Sequence, residues 1–482
     1  KKLGNALQEQ GDLNAAIDSY NKALQLKPNF PEAHSGLSLT LLLSGDYKSG
    51  WEEYEWRFKK KNPALLSAHS KCSRWDGTTT ELDSQLLLVS EQGLGDTLQF
   101  MRYAIALRNQ GIAVSLCAQP KLHSLIKSSG IDSSPLTPKQ ANEFSNGQWS
   151  PLLSVPRYLE VSPDNPIITE PYIKTTNELT SKWKDILSAE QRPIIGINWQ
   201  GNPKTETTNL KGRSLPLATF AAITQQSNAS LLSLQKGFGN EQLETCCFQD
   251  CFVSAQQQVN KTWDFLETAA IIANCDLVIT SDTAVAHLAA GMGNRTWLLL
   301  KKVPDWRWGS KGDTSFWYPS MRLFRQKEQG DWDEVLQRVA EAINQEFPSN
   351  ASASKRRTKK TKVASSTSKP KSAKKQSGKD LSQNHSAHEQ QAGALINQGK
   401  LQEAEAIYRN LITARTNNHI TYSNLAAICG TQGRFGELID LLNKALEIKP
   451  NYPDAHNNLG LALREQGHLK AAIDSYNKAL QL

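Results

Sequence analysis

The sequence predicts an α/β core of two sheet-forming halves flanked on both sides by all-α helical repeats, and three observations lead there. Glycines recur at intervals of 34 residues near both ends of the 482-residue chain. Between them, from about residue 85 to 345, short β-branched or apolar runs alternate with helical stretches, the pattern of parallel strands joined by crossover helices. Finally, residues 347–385 are mostly Lys, Ser, Thr and Ala with scarcely a large apolar side chain. Such a stretch cannot bury enough surface to offset its ordering entropy, so a disordered linker is expected there.

The repeats come first in the argument because their period decides the fold of both ends. Gly399, Gly433 and Gly467 keep the interval of 34, as do Gly11 and Gly45; Tyr20 and Tyr54, and Tyr408, Leu442 and Tyr476, follow it too. Each unit reads as two amphipathic helices, for example 455–466 and 469–482, with Lys449-Pro450-Asn451 closing the unit before. Proline stops a helix, glycine supplies the turn, and small residues such as Ala471, Ala472 and Ala479 let helices approach closely. This pattern resembles the tetratricopeptide repeat, with about two repeats at 1–61 and three at 386–482. Residues 15–26 and 471–482 are the same twelve letters, AAIDSYNKALQL. The expectation is therefore a fragment of a longer chain that continues with a further repeat and then a second domain like the central one.

Composition narrows the function classes. The formal charge is +8, but eleven Lys/Arg and one acid fall between Ser349 and Asp380, so the remainder is close to neutral. The basic stretch reads as a self-repelling spacer or as a contact for anionic lipid or nucleic acid. The missing interleaved aromatics argue against a single-strand nucleic-acid track. No window approaches the ~18 apolar residues of a membrane span, although a chain whose first residue is Lys says nothing about a leader. Seven cysteines include no Cys-x-x-Cys pair, and the cluster Cys246, Cys247, Cys251 lacks zinc spacing. Reduced thiols and a cytoplasmic setting are expected.

Expected strands lie at 85–90, 112–118, 193–199, 230–234, 276–280, 296–300 and 321–324, with a weaker stretch at 140–147 and a helix at 175–187. Three segments at strand ends carry the chemistry. The first is Glu91-Gln92-Gly93-Leu94-Gly95-Asp96-Thr97, ahead of a helix expected at 98–109. Gly93 and Gly95 permit a tight turn and let a ligand approach backbone N–H groups. It is not G-x-G-x-x-G, so a dinucleotide site is unsupported. Asp96 reads either as a helix cap or as a general base at the carboxyl edge of the first strand.

The second segment runs from strand 276–280 through Ser281, Asp282 and Thr283 into a helix of small residues that contains His287. Its free N–H groups suit a diphosphate, with Thr283 as a further donor. Asp282 would repel phosphate and reads as a cap or a partner for sugar hydroxyls; His287 reads as a ligand contact or a core histidine. The third is Asn198-Trp199-Gln200-Gly201-Asn202-Pro203 with Lys211-Gly212-Arg213-Ser214-Leu215-Pro216 behind it. Arg213 is placed to neutralise a leaving phosphate or to form a surface salt bridge. Lys236, in Ser233-Leu234-Gln235-Lys236-Gly237, is one more cation at a strand end. Asp331-Trp332-Asp333 has the form of a metal motif but fronts the last helix of the core and reads as its cap.

The glycine turn and the Ser-Asp-Thr-Ala-x-x-His-Leu-Ala-Ala run resemble GT-B glycosyltransferases of the ADP-heptose:lipopolysaccharide heptosyltransferase type. Gly50-Trp51-Glu52-Glu53-Tyr54-Glu55-Trp56-Arg57-Phe58 and Pro304-Asp305-Trp306-Arg307-Trp308 further resemble bacterial proteins that join tetratricopeptide repeats to such a domain. The resemblance implies a GT-B type pair of Rossmann-like lobes, 62–188 and 189–346, the second holding the donor. It implies Asp96 as the base, Asp282, Thr283 and His287 against donor sugar and diphosphate, and Arg213 on phosphate, where the family more often has Lys. Gly93, Gly95, Gln200, Gly201, Asn202, Lys236 and Ser281 complete the donor-side set. Trp306-Arg307-Trp308-Gly309 has no counterpart in heptosyltransferases proper.

The expected function is thus inverting, metal-independent transfer from a nucleotide sugar to an acceptor hydroxyl on a protein or glycan. No separate cofactor is expected, and the repeats would recruit the acceptor or a protein partner. A non-catalytic scaffold on a degenerate transferase fold, and an epimerase or hydrolase on the same two lobes, are the alternatives.

Overall fold

The computed structural model describes residues 1–78, 85–206, 211–348 and 382–482. They divide into two compact units, one of residues 11–348 and one that combines residues 2–10 with 382–482. Most of the linker expected at 347–385 lies outside the described residues; helix Ser382–Asn397 begins within its last few positions.

The first unit opens with helices Leu13–Leu26, Pro31–Ser44 and Tyr47–Tyr54. The 34-residue period has a local cause here. Gly11 and Gly45 hold φ values of +94° and +102°, which only glycine adopts without strain. Asp12 and Asp46 follow them, accepting the N–H groups of Ala15 (3.1 Å) and Ser49 (3.0 Å) to cap the next helix. A Cβ on Gly36 would stand 2.6 Å from the Tyr20 ring, so the small residue sets how closely these helices approach.

Two parallel sheets follow. The first has the order β1-β4-β2-β3, from Ser73–Arg74 (β1), Gln85–Val89 (β2), Ala113–Cys117 (β3) and Gly147–Pro151 (β4). The second has the order β6-β5-β7-β8-β9, from Ile194–Asn198 (β5), Ser230–Ser233 (β6), Leu277–Ser281 (β7), Thr296–Leu300 (β8) and Met321–Arg325 (β9). Strands β5, β7 and β8 are buried along their whole length, which is why each reads as a mostly apolar run with no polar alternation. The seven expected strong strands agree with these to within a residue or two.

Three elements differ from expectation. The weak stretch at 140–147 is helix Pro138–Glu143 followed by β4, whose Gly-Gln-Trp-Ser-Pro carries no apolar run. Gly147 is there because β4 passes so close to β2 that a Cβ would fall 1.9 Å from the Gln85 carbonyl oxygen. The two-residue β1 has no sequence signal. The helix expected at 98–109 starts earlier, as Leu94–Phe100, and is followed after Met101 by Arg102–Asn109. Gly95, Asp96 and Thr97 therefore lie in a first helical turn rather than in a loop. Asp331 does cap helix Trp332–Glu346, accepting the Glu334 N–H at 3.1 Å.

In the second unit, helices Ser382–Asn397, Leu401–Thr413, His419–Thr431, Phe435–Ile448, Pro453–Glu465 and Leu469–Gln481 pack in succession. Gly399, Gly433 and Gly467 make the positive-φ turns within pairs. Helix Lys2–Gln10, expected with the first array, packs instead on Leu469–Gln481 through Ala6 and Tyr476, with Glu9 paired to Arg464 at 2.7 Å. All seven cysteines are free thiols. No described helix is long and apolar enough to cross a membrane.

Candidate functional site

In each sheet of the first unit the strand order reverses beside the central strand, between β2 and β4 and between β5 and β7. The crevice beyond the carboxyl ends at such a point is the usual ligand position in open α/β sheets. The glycine turn leaves β2 there, and the Ser281-Asp282-Thr283 turn leaves β7 there. The two turns meet. Helix Leu94–Phe100 packs against helix Ala284–Gly291, and a Cβ on Gly95 would stand 3.1 Å from His287 Cδ2 and 3.5 Å from Ala284 Cα.

Asp96 is the third residue of its helix, and its Oδ2 accepts the Gly93 N–H at 2.8 Å, one half of a capping box, since Gly93 has no side chain to return the bond. Its other oxygen is ion-paired with Arg307, which comes from the second sheet's side of the seam. Arg307 is held from three sides: Nη1 donates to Asp305 (2.8 Å), Nε to Gln99 Oε1 (2.7 Å), and Nη2 to Asp96. Burial raises the Asp96 pKa; the Arg307 charge and the Gly93 N–H pull it back part of the way, and the net direction is up.

Behind the turn sits a buried ion pair that sequence reasoning did not single out. Glu91, fully buried, accepts from Arg57 Nη2 (2.8 Å), Arg57 Nε (2.9 Å) and the Leu153 N–H (3.2 Å). Arg57 belongs to the short turn Glu55–Phe58 that ends the first helical repeats, and it also donates to Ser154 (2.8 Å). The repeats thus insert a side chain into the first sheet's reversal point. The aromatic residues of the two family-resembling segments complete the contact. Trp51 lies edge-on to Trp306 at 5.2 Å, Tyr54 is 6.1 Å from Trp306, and Gln92 donates to the Tyr54 hydroxyl at 3.1 Å. Buried Arg102 ties the same seam, donating to Trp317 O (2.7 Å) and the Tyr172 hydroxyl (3.0 Å). The one sequence signal for this assembly was the run of aromatic and arginine residues in both segments.

On the β7 side, Thr283 caps its helix by backbone position only; its hydroxyl donates to Asn198 Oδ1 at 2.8 Å. Asp282 has its pKa pushed up to about 6 by burial and by nearby Asp305, against the pull of Arg213, the Trp308 indole and Arg307. The Trp308 indole N–H faces this carboxylate without reaching hydrogen-bond geometry. His287 is buried, shares a 2.9 Å hydrogen bond between Nδ1 and the Tyr318 hydroxyl, and stacks on Trp308 at 5.4 Å. Burial, then Arg307, Arg102 and Arg213, hold its pKa well below the ordinary value, so it is neutral at pH 7.

Arg213, Asp282, Lys301, Pro304 and Asp305 line a small open cleft with room for about one water. Arg213 also pairs with Glu206 at 3.2 Å, and its guanidinium lies so close to Gly201 that a Cβ there would stand 2.5 Å away and displace it. Other expected residues are bonded among the loops and helices around the second sheet. Gln200 is gathered by the buried Gln235, which accepts the N–H groups of Trp199 (3.1 Å) and Gln200 (3.0 Å) and donates to Gln200 O (2.9 Å). Asn202 accepts the Lys204 N–H at 3.0 Å. Lys236 is bonded to the Val259 carbonyl, and burial lowers its pKa to about 8. Ser281 is buried, and its hydroxyl, like Gln99 Nε2, has no partner among the described residues. No group of three or more His, Cys, Asp or Glu among the described residues is placed to hold a metal ion.

Protein FlbA of Caulobacter vibrioides is 23% identical over 367 residues, 69% of this chain. The chain spans 59% of that relative's length. Among solved structures, MamA is 24% identical over 20% of this chain and 57% of that chain, with a TM-score of 0.20. The Sgt2 TPR domain from Aspergillus fumigatus is 22% identical over 20% of this chain and 65% of that chain, with a TM-score of 0.20. A family described as TPR repeat matches residues 4–45, and one described as tetratricopeptide repeat matches 417–482. The chain therefore carries tetratricopeptide repeats in both stretches.

Proposed function

We propose that residues 62–346 are a glycosyltransferase domain that moves a sugar from a nucleotide-sugar donor to an acceptor hydroxyl, with the repeats engaging a protein partner or acceptor. The observation that carries this reading is the meeting of two reversal-point turns, which sets Gly95 of the first sheet against the start of helix Ala284–Gly291 and pairs Asp96 with Arg307, whose anchor Asp305 lines the cleft with Asp282 and Arg213. Buried polar atoms without partners, Gln99 Nε2, Ser281 Oγ and Trp308 Nε1, lie on the segments that meet there, as expected where a polar ligand binds.

In this reading Asp96 takes the proton of the acceptor hydroxyl as its oxygen attacks the anomeric carbon. The bond from that carbon to the diphosphate breaks, and its electron pair leaves with the diphosphate. Attack opposite the leaving group inverts the anomeric centre. The Ala284 helix start and Arg213 stabilise the departing charge, and Asp282 accepts from sugar hydroxyls. A positioned base supplies ~10²–10⁴ in rate, so charge stabilisation supplies much of the rest.

The second reading, a scaffold on a transferase-like fold, is favoured by the occupied partners: Asp96 is already paired, Thr283 is bonded to Asn198, and the cleft has room for about one water against the roughly 300–1,000 Å³ usual for ligand sites. Calorimetry against a panel of nucleoside diphosphates and nucleotide sugars, followed by a turnover assay, separates the two. Binding with transfer supports the enzyme, and binding without turnover supports the scaffold. Release of free sugar without an acceptor marks a hydrolase, and no binding at all removes the donor site.

A further inference from the structure

The most tightly organised polar group at the seam is not one the resemblance assigns. The turn Trp306–Trp308 is capped by Asp305, whose Oδ1 accepts the Arg307 backbone N–H at 3.2 Å and also the Arg307 guanidinium at 2.8 Å. One carboxylate oxygen thus sets both the backbone and the head group of Arg307. The guanidinium lies 4.5 Å from the Trp306 ring centre and 5.7 Å from that of Phe100, and its side chain is only 10% exposed. All three of its nitrogens are used, on Asp305, Gln99 and Asp96. A lysine point charge cannot reproduce that fork.

We propose that Arg307 is the positioning residue of Asp96: anchored on Asp305 and Gln99, it fixes the carboxylate across the seam and supplies the positive charge that a carboxylate in this buried place needs to remain an acceptor of protons. This rests on the reading of Asp96 as the base. The alternative use of the same contact, a simple strut between the two sheets, makes a different demand: a strut shifts the Asp96 carboxyl by the same charge contact but leaves the acid limb of turnover unmoved.

The charges that face the pair are known. Asp96 faces Arg307, Asp305 and Glu91, and Arg307 faces Asp305, Asp96 and Tyr54. Glu91 is matched by Arg57, and neighbouring His287 is neutral. Arg307 is accordingly the cation in direct contact with Asp96, and two carboxylates oppose its ionisation. Each oxygen of Asp96 makes one recorded contact, to Gly93 N–H and to Arg307, so each keeps a lone pair for an incoming proton.

The test uses the full chain with carboxyl-13C-labelled aspartate, the Asp96 signal being identified by its loss in Asp96→Asn. Arg307→Met is expected to make Asp96 bind its proton about 10- to 1,000-fold more tightly than in the unsubstituted protein, because an opposite charge at contact favours the ionised form. Arg307→Lys keeps a charge without the fork and should fall between the two, which preserves the test if the methionine variant does not fold. A titration of Asp96 that is the same in folded variants as in the unsubstituted protein overturns the proposal. Where a donor is turned over, the acid limb of the kcat/KM profile must move upward with the carbon signal; a limb that stays while the signal moves also overturns it. If the signal moves but no protein form transfers sugar, the transferase reading fails and the Arg307–Asp96 assignment stands.

Discussion

Replacing Asp282 by Asn should stabilise the protein at neutral pH and leave its stability unchanged in acid. The carboxyl is pushed from its ordinary 3.8 up to about 6 in the fold by burial and by Asp305. At 1.36 kcal/mol per pH unit, ionised Asp282 costs the folded state about 3 kcal/mol; partial exposure and the coupling to Asp305 and Arg213 bring the expectation to roughly 1–3 kcal/mol. The sign follows from proton counts. Below pH 3.8 both folded and unfolded chains hold the proton and there is no penalty. Between about 4 and 6 the unfolded chain has lost it and the folded chain has not, so stability falls as pH rises; above about 6 the full penalty is present and constant. The Asn variant lacks this fall. All twelve tryptophans lie between Trp51 and Trp332, so tryptophan fluorescence during urea unfolding reports the unit with the two sheets. The difference between variant and parent should grow from near zero at pH 4 to its plateau by pH 7. A pH-independent difference, or a variant less stable at pH 7, would refute the account of Asp282 as an acid held at a stability cost beside the cleft.

Arg57→Met leaves Glu91 buried without its cation and should cost about 3–5 kcal/mol in the same fluorescence transition, with part of the loss recovered by adding Glu91→Gln; a loss below ~1 kcal/mol would show the pair to be incidental. Gly147→Ala forces a positive-φ residue and pushes a Cβ onto the Gln85 carbonyl, so about 2–6 kcal/mol should be lost; an unchanged urea midpoint would argue against the β2–β4 register. Asp96→Asn keeps an acceptor for the Gly93 N–H and should fold, yet lower sugar transfer by at least ~10²-fold; near-normal turnover removes Asp96 from the chemistry. Arg213→Ala should weaken nucleoside diphosphate binding by roughly 1–3 kcal/mol by calorimetry, and unaltered affinity would place the diphosphate elsewhere.

Much of the fold was legible where burial is one-dimensional. Strands β5, β7 and β8 announce themselves because both faces are covered, so nearly every residue is apolar or small, Asn198 at the end of β5 excepted. β4 was missed because Gly147-Gln148-Trp149-Ser150-Pro151 is held by its register with β2 rather than by its own composition. The candidate site divides in the same way. Gly93, Gly95 and the Ser281-to-His287 turn were readable as strand-end turns, and the structure brings them together. Gln200, Asn202 and Lys236 carried the right chemistry at the right ends of strands, but Asn202 is used within its own turn, Gln200 is held by Gln235 beyond the neighbouring strand, and Lys236 is bonded to the Val259 carbonyl. Arg307 and Arg57 were quoted only as parts of aromatic segments, and nothing local marks either as the partner of an acid.

The sequence by itself determined the helical repeats, through a period that places Gly11 and Gly45, or Gly399, Gly433 and Gly467, where a positive φ is needed, and it determined the parallel sheets, through apolar runs of strand length. Both are short-range facts: a turn conformation and a buried strand are each specified by a few adjacent side chains. Tertiary structure alone decided that Arg307 meets Asp96 across 211 positions, that Arg57 reaches Glu91 across 34, and that Lys2–Gln10 packs on Leu469–Gln481. A guanidinium is compatible with any nearby carboxylate. Which one it finds depends on how closely the backbones behind them can pack, and Gly95 against His287 and Ala284 sets that distance only once the sheets are in place.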